Sequence, residues 1–316
     1  MCFVRNLNLA LVFSLAPGSL IAQSYTFQTF AFPTMFKHTA NFAGGINNAG
    51  SVAGTFQFNP RGGAHVWDRG FVRNPDGTFA PLIIDPSETG HETFAQSIND
   101  AGTIVGYYFG ADSSYHGYVD IAGSFTTVDA LSGPSTEILG INNSGDFVGG
   151  TYSTTIGGTL HGFVGHAGVI TQIDVPGIPT GTTAYGIDDS GTIVGCAGVG
   201  FIRGPLGNFH TFSVAHSSIT CPSGVQTSIG TIVGFFQDKS GFEQGFVYKF
   251  PPGASSPDPA SQGTLTFFSY PNSRSTIPYG VNSQGQIVGF AYVRGVGYIS
   301  FIATPVAVPT AAASVP

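Results

Sequence analysis

Eight side chains that could take part in recognition or acid–base chemistry lie in unrepeated segments of the sequence. Imidazole, carboxylate and guanidinium groups exchange protons, pair with ions of opposite charge or hydrogen-bond to a ligand. These side chains are His38, Arg69, His91, Glu92, Asp112, His116, His161 and Arg274. Each taken alone fits a solvated surface residue, but loops on a rigid scaffold usually carry recognition. As a set they therefore mark the predicted binding face.

No familiar catalytic motif organises these groups. The sequence lacks G-x-S-x-G, G-x-x-x-x-G-K and C-x-x-C, and the pair His91-Glu92 is not followed by a second histidine at zinc-helix spacing. NPDG (74–77) and DDSG (188–191) are similar to calcium loops but lack the alternating ligands and the distal glutamate. Carboxylate pairs for glycoside cleavage could come from different segments, and no spacing selects one. No catalytic residue is assigned, the metal ligands are unknown, and calcium stays an open possibility.

Internal repeats determine how these side chains are positioned. Six segments share an apolar residue, an Asn-like residue, a glycine and a closing apolar-apolar-Gly. They are GINNAGSVAG (45–54), SINDAGTIVG (97–106), GINNSGDFVG (140–149), GIDDSGTIVG (186–195), GVQTSIGTIVG (224–234) and GVNSQGQIVG (280–289). Their last glycines are 52, 43, 46, 39 and 55 residues apart. Such a period indicates a propeller or a solenoid.

Each repeat continues with an aromatic run, a variable loop, a Gly-aromatic-apolar strand and a fourth strand, which is the composition of a propeller blade. The consecutive apolar residues of TIVG predict a strand buried on both faces. Asn-x-x-Gly predicts a tight turn between the first two strands, in which Gly102, Gly145 and Gly191 take a left-handed conformation. We expect the variable loops on one face of the ring and the short turns on the other.

The segment FQTFAFP (27–33) is similar to the fourth strand ITQIDVP (170–176), whereas the last repeat has no fourth strand after Thr304. A closed ring explains this offset, because the N-terminal strand then completes the last blade. The predicted fold class is therefore all-β: a six-bladed β-propeller of four-stranded antiparallel blades, closed by residues 25–33.

Composition and termini bear on the compartment. Arg5, the apolar run Leu9 to Ala16 and the small residue Ala22 have the anatomy of a secretory signal peptide. A membrane anchor is the alternative, but Pro17 interrupts the run. We predict a signal peptide at 1–22, a single propeller domain at 23–304 and a disordered Pro/Ala tail at 305–316, and hence a secreted, periplasmic or extracellular protein without a stable membrane span. The net charge of -7, with no basic stripe, speaks against nucleic acid as a partner.

The repeats resemble the extracellular HAF-type repeats of secreted bacterial proteins. The resemblance is carried by SINDAGTIVGYY (97–108), GIDDSGTIVG (186–195), HGFV (161–164) and GFVRNPDGTF (70–79). It covers nearly all of the chain after the signal peptide. It departs at the fifth repeat, where Gln226 and an extra residue replace the usual Asn. The resemblance implies a secreted repeat protein and supplies no catalytic residues.

Three functions remain open at this stage. The first is a non-catalytic binding or interaction module at the cell surface or in the extracellular space, with a carbohydrate or a protein as partner and no cofactor. The second is a secreted propeller hydrolase, of lactonase or glycosidase type, with a calcium ion in its channel. The third is a structural repeat without a specific ligand. Oxygen ligands converging at the channel mouth would favour the enzyme, and a hydrophobic or unliganded channel would favour the module.

Two sets of repeated polar residues are expected to be structural. Asn47, Asn99, Asn142, Asp188 and Asn282 occupy matching turn positions. Asp85, Asp129 and Asp174 recur at the ends of fourth strands, where a carboxylate can accept backbone N–H groups of the following loop. Calcium binding is the alternative for this second set.

Cys196 and Cys221 are the two cysteines of the predicted mature chain, and an even number in an exported protein favours a disulfide. Two buried cysteines that never meet are the alternative. A disulfide here would contribute about 3 kcal/mol by restricting the unfolded chain. We expect thiol titration of the unreduced, unfolded mature protein to find no free thiol; two titratable thiols would contradict the pairing.

Overall fold

The computed structural model describes residues 11–13, 24–33, 40–59, 66–131, 133, 135–152, 160–178, 181–254, 257–259 and 263–306. Its strands in chain order are β1 (Leu11–Phe13), β2 (Tyr25–Phe30), β3 (Ala40–Ile46), β4 (Val52–Phe58), β5 (Trp67–Arg73), β6 (Thr93–Ile98), β7 (Ile104–Phe109), β8 (Tyr115–Ile121), β9 (Ser124–Val128), β10 (Ser135–Ile141), β11 (Phe147–Tyr152), β12 (His161–His166), β13 (Val169–Gln172), β14 (Thr183–Ile187), β15 (Ile193–Cys196), β16 (Gly200–Arg203), β17 (Phe209–Val214), β18 (Ile219–Gln226), β19 (Thr231–Gln237), β20 (Glu243–Lys249), β21 (Thr264–Phe268), β22 (Ser273–Val281), β23 (Ile287–Val293) and β24 (Gly297–Pro305). One 3-10 turn, Thr227–Ile229, lies in the fifth repeat.

These strands form six sheets arranged as the blades of a β-propeller, as predicted. The blades are β3–β5, β6–β9, β10–β13, β14–β17, β18–β21, and β22–β24 with β2. The first strand of each blade contributes to the wall of one central channel. Each of these inner strands ends at the short turn that leads to the second strand of its blade, so all such turns share one side of the ring, the turn face. The loops from second to third strands and from each blade to the next share the opposite side, the variable-loop face.

The inner strands touch one another at a ring of small residues that we call the waist. It consists of Gly45, Ser97, Gly140, Gly186, Gly224 and Gly280. A Cβ on Gly186 would lie 2.5 Å from the backbone oxygen of Ser223 in the next blade, and a Cβ on Gly140 would lie 2.7 Å from that of Tyr185. A side chain at these two positions would therefore collide with the backbone of the next blade.

The glycine that closes each repeat has a partner on the third strand. Gly54 lies opposite Phe71, and Gly149 lies opposite Phe163. In every blade the partner is aromatic and its ring is fully buried against the glycine. The aromatic partners are Phe71, Tyr118, Phe163, Phe201, Phe246 and Phe301. The spacing between TIVG and Gly-aromatic-apolar in the sequence thus encodes a cross-strand contact inside each blade.

The hydrophobic core lies between the blades. Between the second and third blades, for example, Val105, Ile138 and Phe163 belong to one buried cluster. Between the fourth and fifth blades, Val194 and Phe246 do the same. Because each blade packs against two neighbours, its middle strands are buried on both faces, which confirms the interpretation of the consecutive apolar residues in TIVG.

The N-terminal strand closes the ring as predicted. β2 pairs antiparallel with β24, from Tyr25 opposite Pro305 to Phe30 opposite Ser300. Its side chains also reach both neighbouring blades. The ring of Phe27 lies 5.6 Å from that of Phe268 in the fifth blade, and the ring of Phe30 lies 6.2 Å from that of Phe71 in the first. β2 therefore joins three blades.

Some details differ from the expectation. The first blade has three strands, and its fourth segment meets β5 only through isolated bridges, Gly70 with Ile83 and Arg73 with Phe79. Pro81 lies in this segment and cannot donate a ladder hydrogen bond. β24 extends through Pro305, one residue beyond the predicted end of the domain.

The terminal predictions are only partly covered by the structure. β1 lies within the predicted signal peptide and pairs in parallel with β17 at the outer edge of the fourth blade. The rest of residues 1–23, most of the predicted tail and His38 lie outside the described residues. In the part of the chain that is described, no helix is long and apolar enough to cross a bilayer.

Deleting residues 24–33 should open the ring. The half-buried rings of Phe27 and Phe30 contribute about 2 kcal/mol each, the hydrogen bonds between β2 and β24 are lost with them, and about 2 °C is lost per kcal/mol in a chain of this size. We expect the melting temperature to fall by more than about 10 °C, measured by circular dichroism. Removing residues 307–316, the rest of the predicted loose tail, is the matched control. Equal melting of the two truncations would contradict closure by β2.

Candidate binding site: an aromatic funnel on the variable-loop face

A belt of polar side chains lies at the turn-face end of the channel. Within each turn the Asn side chain acts as predicted: Oδ1 of Asn47 accepts the backbone N–H of Ser51 at 2.9 Å. The amide nitrogen of the same side chain links neighbouring blades. Nδ2 of Asn47 donates to the carbonyl of Asn99, and Nδ2 of Asn99 donates to that of Asn142, both at 3.1 Å. The turn prediction is confirmed, but it missed this second role.

Two further blade pairs have the same link, and the fourth and fifth blades are joined by one of reversed direction. Nδ2 of Asn142 donates to the carbonyl of Asp188, and Nδ2 of Asn282 donates to that of Asn47. Asp188 has no side-chain N–H, and its Oδ2 instead accepts the backbone N–H of Thr227 at 2.8 Å. The polar groups of this belt bind one another across the blades.

The opposite half of the channel is an aromatic funnel. Its walls are formed by half-buried or exposed aromatic side chains from several blades, together with the carboxyl group of Glu137. These residues are Phe42, Phe94, Tyr107, Tyr115, Glu137, Tyr152, Tyr185, Phe235, Tyr279, Phe290, Tyr292 and Tyr298. A cavity of about 310 Å³ opens beside Phe290 and Tyr292, and another of about 190 Å³ lies beside Phe94 and Tyr107.

Ring contacts connect the funnel walls across blades. Phe42 of the first blade meets Phe290 of the sixth edge-to-face at 5.0 Å, and Tyr279 stacks on Phe290 at 5.9 Å. In the second blade Phe94 stacks on Tyr107 at 4.6 Å. The rings support one another while leaving part of their surface open, so the walls are preformed.

The third blade departs from this aromatic pattern. The corresponding inner-strand positions hold Phe42, Phe94, Glu137, Thr183, Cys221 and Ile277. Glu137 is the one ionisable residue of this set. The residue opposite it on the second strand is Gly150, where the second blade has Tyr107 opposite Phe94. The third blade thus has a carboxyl group opposite a glycine where the second blade has an aromatic pair.

Glu137 lies among tyrosines of four blades. Burial raises its pKa to about 7, although the hydroxyl of Tyr152 hydrogen-bonds to it. Burial, followed by the charge of Glu137, also raises the pKa of Tyr107 and Tyr185. Burial, followed by the charge of Glu92 and the hydrogen bond to it, raises the pKa of Tyr115, with a smaller contribution from Glu137. Burial together with Tyr185 and Glu137 raises the pKa of Tyr279. The funnel therefore holds one carboxyl group that titrates near neutral pH and several phenols that stay protonated.

Arg69, His91 and Glu92, which the sequence predicted as binding residues, come together between the first and second blades. Arg69 is buried and donates to Oε2 of Glu88 at 2.9 Å, and it also contacts Nδ1 of His91. His91 stacks on Trp67 with ring centroids 3.6 Å apart. The guanidinium is therefore already paired, and His91 is the exposed surface of this group.

The neighbouring acidic groups connect this cluster to the funnel. Oε2 of Glu92 accepts the hydroxyl of Tyr115 at 3.1 Å, which places Glu92 at the funnel rim. Asp68 is buried beside it, and burial followed by the charge of Glu92 raises its pKa to about 6, against the hydrogen bond from Gln57 and the charge of Arg69.

Asp112 and His116 form a separate cluster on the second blade. The ring of His116 lies between two carboxylates, with Nε2 3.0 Å from Asp112 and Nδ1 2.7 Å from Asp129. His161 has the equivalent partner in the third blade, because its Nδ1 lies 2.7 Å from Asp174. The expectation that fourth-strand carboxylates accept loop N–H groups holds for Asp85, which accepts that of Ser87. In the described residues, Asp129 and Asp174 each pair with a histidine of the adjacent third strand, and Asp174 also accepts the backbone N–H of Gly162.

Arg274 lies apart from these clusters, with its guanidinium 3.8 Å from the ring centroid of Phe242. In the structure Cys196 and Cys221 are joined by a disulfide that links the fourth and fifth blades, with Cα atoms 4.8 Å apart. In the described part of the chain, no three His, Cys, Asp or Glu side chains lie close enough together to hold a metal ion.

Sequence reasoning missed the funnel, although a signal was present. The aromatic runs after the closing glycines alternate: in YY (107–108) and FF (235–236) the second residue is buried in the blade and the first is half-buried. The first residue of each run is therefore the one that lines the funnel. Glu137 carried no such signal, since only comparison of equivalent inner-strand positions shows that it replaces an aromatic residue.

The charge of His116 should make stability depend on pH. Burial disfavours the charged imidazole, but the hydrogen bonds and charges of Asp112 and Asp129 outweigh it and raise the pKa of His116 above 6.5. A group whose pKa is higher in the folded than in the unfolded protein stabilises the fold fully at pH values below its unfolded pKa. This contribution is lost as the pH rises through its folded pKa. His116→Asn should therefore cost more stability at about pH 6 than at about pH 8, measured by urea unfolding. His216→Asn, at an exposed site, is the control; an equal cost at both pH values would contradict this role for His116.

Comparisons with known proteins place the chain in no family. No protein-family model matches the sequence, and no curated protein matches it. Among solved structures, a mutant Aleuria aurantia lectin in complex with Fucα1-6GlcNAc is 14% identical with a TM-score of 0.44, covering 88% of this chain and 99% of the lectin. YCF48 bound to D1 peptide is 12% identical with a TM-score of 0.45, covering 93% of this chain and 98% of that chain. The propeller assignment rests on the strand topology described above.

Proposed function

We propose that this chain is a non-catalytic binding module that takes its ligand in the aromatic funnel. The observation that carries the proposal is the contrast between the two ends of the channel. At the turn face, polar side chains hydrogen-bond to one another across the blades. At the variable-loop face, aromatic rings are fixed by mutual contacts and still present surface to a cavity. Preformed concave sites with aromatic walls and few polar groups are typical of ligand binding.

The proposal includes the setting predicted from the sequence. The module is an HAF-type repeat protein of bacterial origin, exported by a signal peptide at 1–22, and it acts in the periplasm or outside the cell. Its partner is an extracellular carbohydrate, a protein or a smaller molecule that carries apolar groups. The alternative of a hydrolase with a channel calcium ion stays a prediction, and no observation favours particular residues for it.

The test is a thermal-shift screen of the mature protein against calcium, oligosaccharides, cell-wall fragments and small organic ions. A ligand that binds only the folded state raises the melting temperature in a concentration-dependent way. We expect one class to do so, and we expect the double variant Tyr292→Ala with Tyr298→Ala to lose most of the shift because it removes the outer funnel wall.

Leu206→Ala is the matched control for this variant. Leu206 is 96% exposed, and it lies in a turn on the opposite face. It should keep the full ligand-induced shift. A ligand-induced shift that survives in the double variant would show that the ligand binds outside the funnel. A screen with no response in any ligand class would favour a purely structural repeat.

A further inference from the structure

The proposed function does not specify the chemistry of the ligand. The charge distribution in the funnel indicates which class of ligand fits. Glu243 lines the larger cavity, Glu137 lies among the tyrosines of the funnel, and Glu92 lies at the rim. In the described part of the chain, the residues that line these cavities include no Lys, Arg or His. A ligand with positive charge therefore finds complementary charge here, and an anionic ligand finds repulsion.

Among the residues that the structure describes, the groups that face Glu137 include no cation. These groups are Tyr107, Tyr115, Tyr152, Tyr185 and Tyr279, and each has a raised pKa and stays neutral. A carboxylate held among neutral groups away from bulk water is destabilised, and a bound cation would remove that cost. Two of these tyrosines, Tyr107 and Tyr279, line the cavity of about 190 Å³, and Gly150, opposite Glu137 on the second strand, adds no side chain that could pair with the carboxyl group.

The aromatic walls suit the same ligand. A cation near the face of an aromatic ring is attracted by the ring quadrupole, more strongly when water is excluded, and alkylated ammonium groups are recognised in this way. Resting on the proposed function, we infer that the ligand bound in the funnel is a small organic cation, an alkylated ammonium group with apolar substituents. Its charge lies near Glu137, and its alkyl groups contact the tyrosine and phenylalanine rings.

The test compares choline with its neutral isostere 3,3-dimethylbutan-1-ol, by isothermal titration calorimetry on the mature protein. We expect choline to bind at least about tenfold more tightly than the isostere. Glu137→Gln should abolish this preference. Asp76→Asn, which removes an exposed carboxylate on the turn face, should keep it.

The pH dependence gives a test that needs no variant. Cations bind better to the ionised carboxyl group, and the pKa of Glu137 lies at about 7. The affinity for choline should therefore rise between about pH 6 and about pH 8, while that for the isostere stays constant. The tyrosines that face Glu137 remain neutral over this range, so they do not produce the effect. A pH-independent preference for choline would overturn the role of Glu137 even if Glu137→Gln failed to fold.

The remaining outcomes separate this inference from the proposed function. If both compounds bind equally and the Tyr292→Ala, Tyr298→Ala variant loses both, the funnel is the binding site but the cation inference is wrong. If neither compound binds at millimolar concentration, the inference is also wrong, and the screen of the other ligand classes decides the proposed function.

Discussion

The constraint on which the rest of this structure depends is the contact of inner strands at the waist. Six strands can meet around one axis only if the residues there lack bulk, and five of the six waist positions are glycine. Gly224, for example, has room for no Cβ because the backbone oxygen of Tyr279 would lie 2.7 Å away. The waist divides the channel into two halves, and each half then has its own chemistry.

The two halves of the channel are formed by different kinds of residue: repeated residues line the half at the turn face, and unrepeated residues line the half at the variable-loop face. On the turn-face side of the waist, equivalent residues in successive blades use their side-chain amides to hold the next blade. The hydrogen bonds of the belt therefore repeat with the same period as the sequence. The single reversal at Asp188 and Thr227 coincides with the longer fifth repeat, which folds as a 3-10 turn. On the variable-loop side of the waist, equivalent positions hold different residues from blade to blade, and these differences make the funnel asymmetric although the ring is nearly symmetric.

The fold could be predicted from the sequence because its signals are local or periodic. Turn glycines, buried runs and the displaced fourth strand each follow from a few neighbouring residues, and Gly102, Gly145 and Gly191 indeed have φ of 80°, 83° and 78°. The funnel could not be predicted in the same way. Every inner strand contains a β-bulge, such as the register shift between Ile138 and Gly140, which breaks the alternation of faces. The tyrosines around Glu137 also come from four blades, so their proximity depends on ring closure.

The charged residues that are most conspicuous in the sequence are not the group proposed for recognition, because they are already paired in the folded protein. Arg69 was predicted for binding because it is charged and unrepeated, yet its charge is met by Glu88, and the imidazoles of His116 and His161 are likewise met by aspartates. A group that has a partner of opposite charge in the free protein gains little by exchanging it for a ligand. Among the described residues, the ionisable groups that face Glu137 are neutral phenols, so a bound cation would supply a positive charge that these residues do not. Binding specificity in this ring therefore depends less on the number of charged side chains than on which charge the fold leaves without a counter-ion.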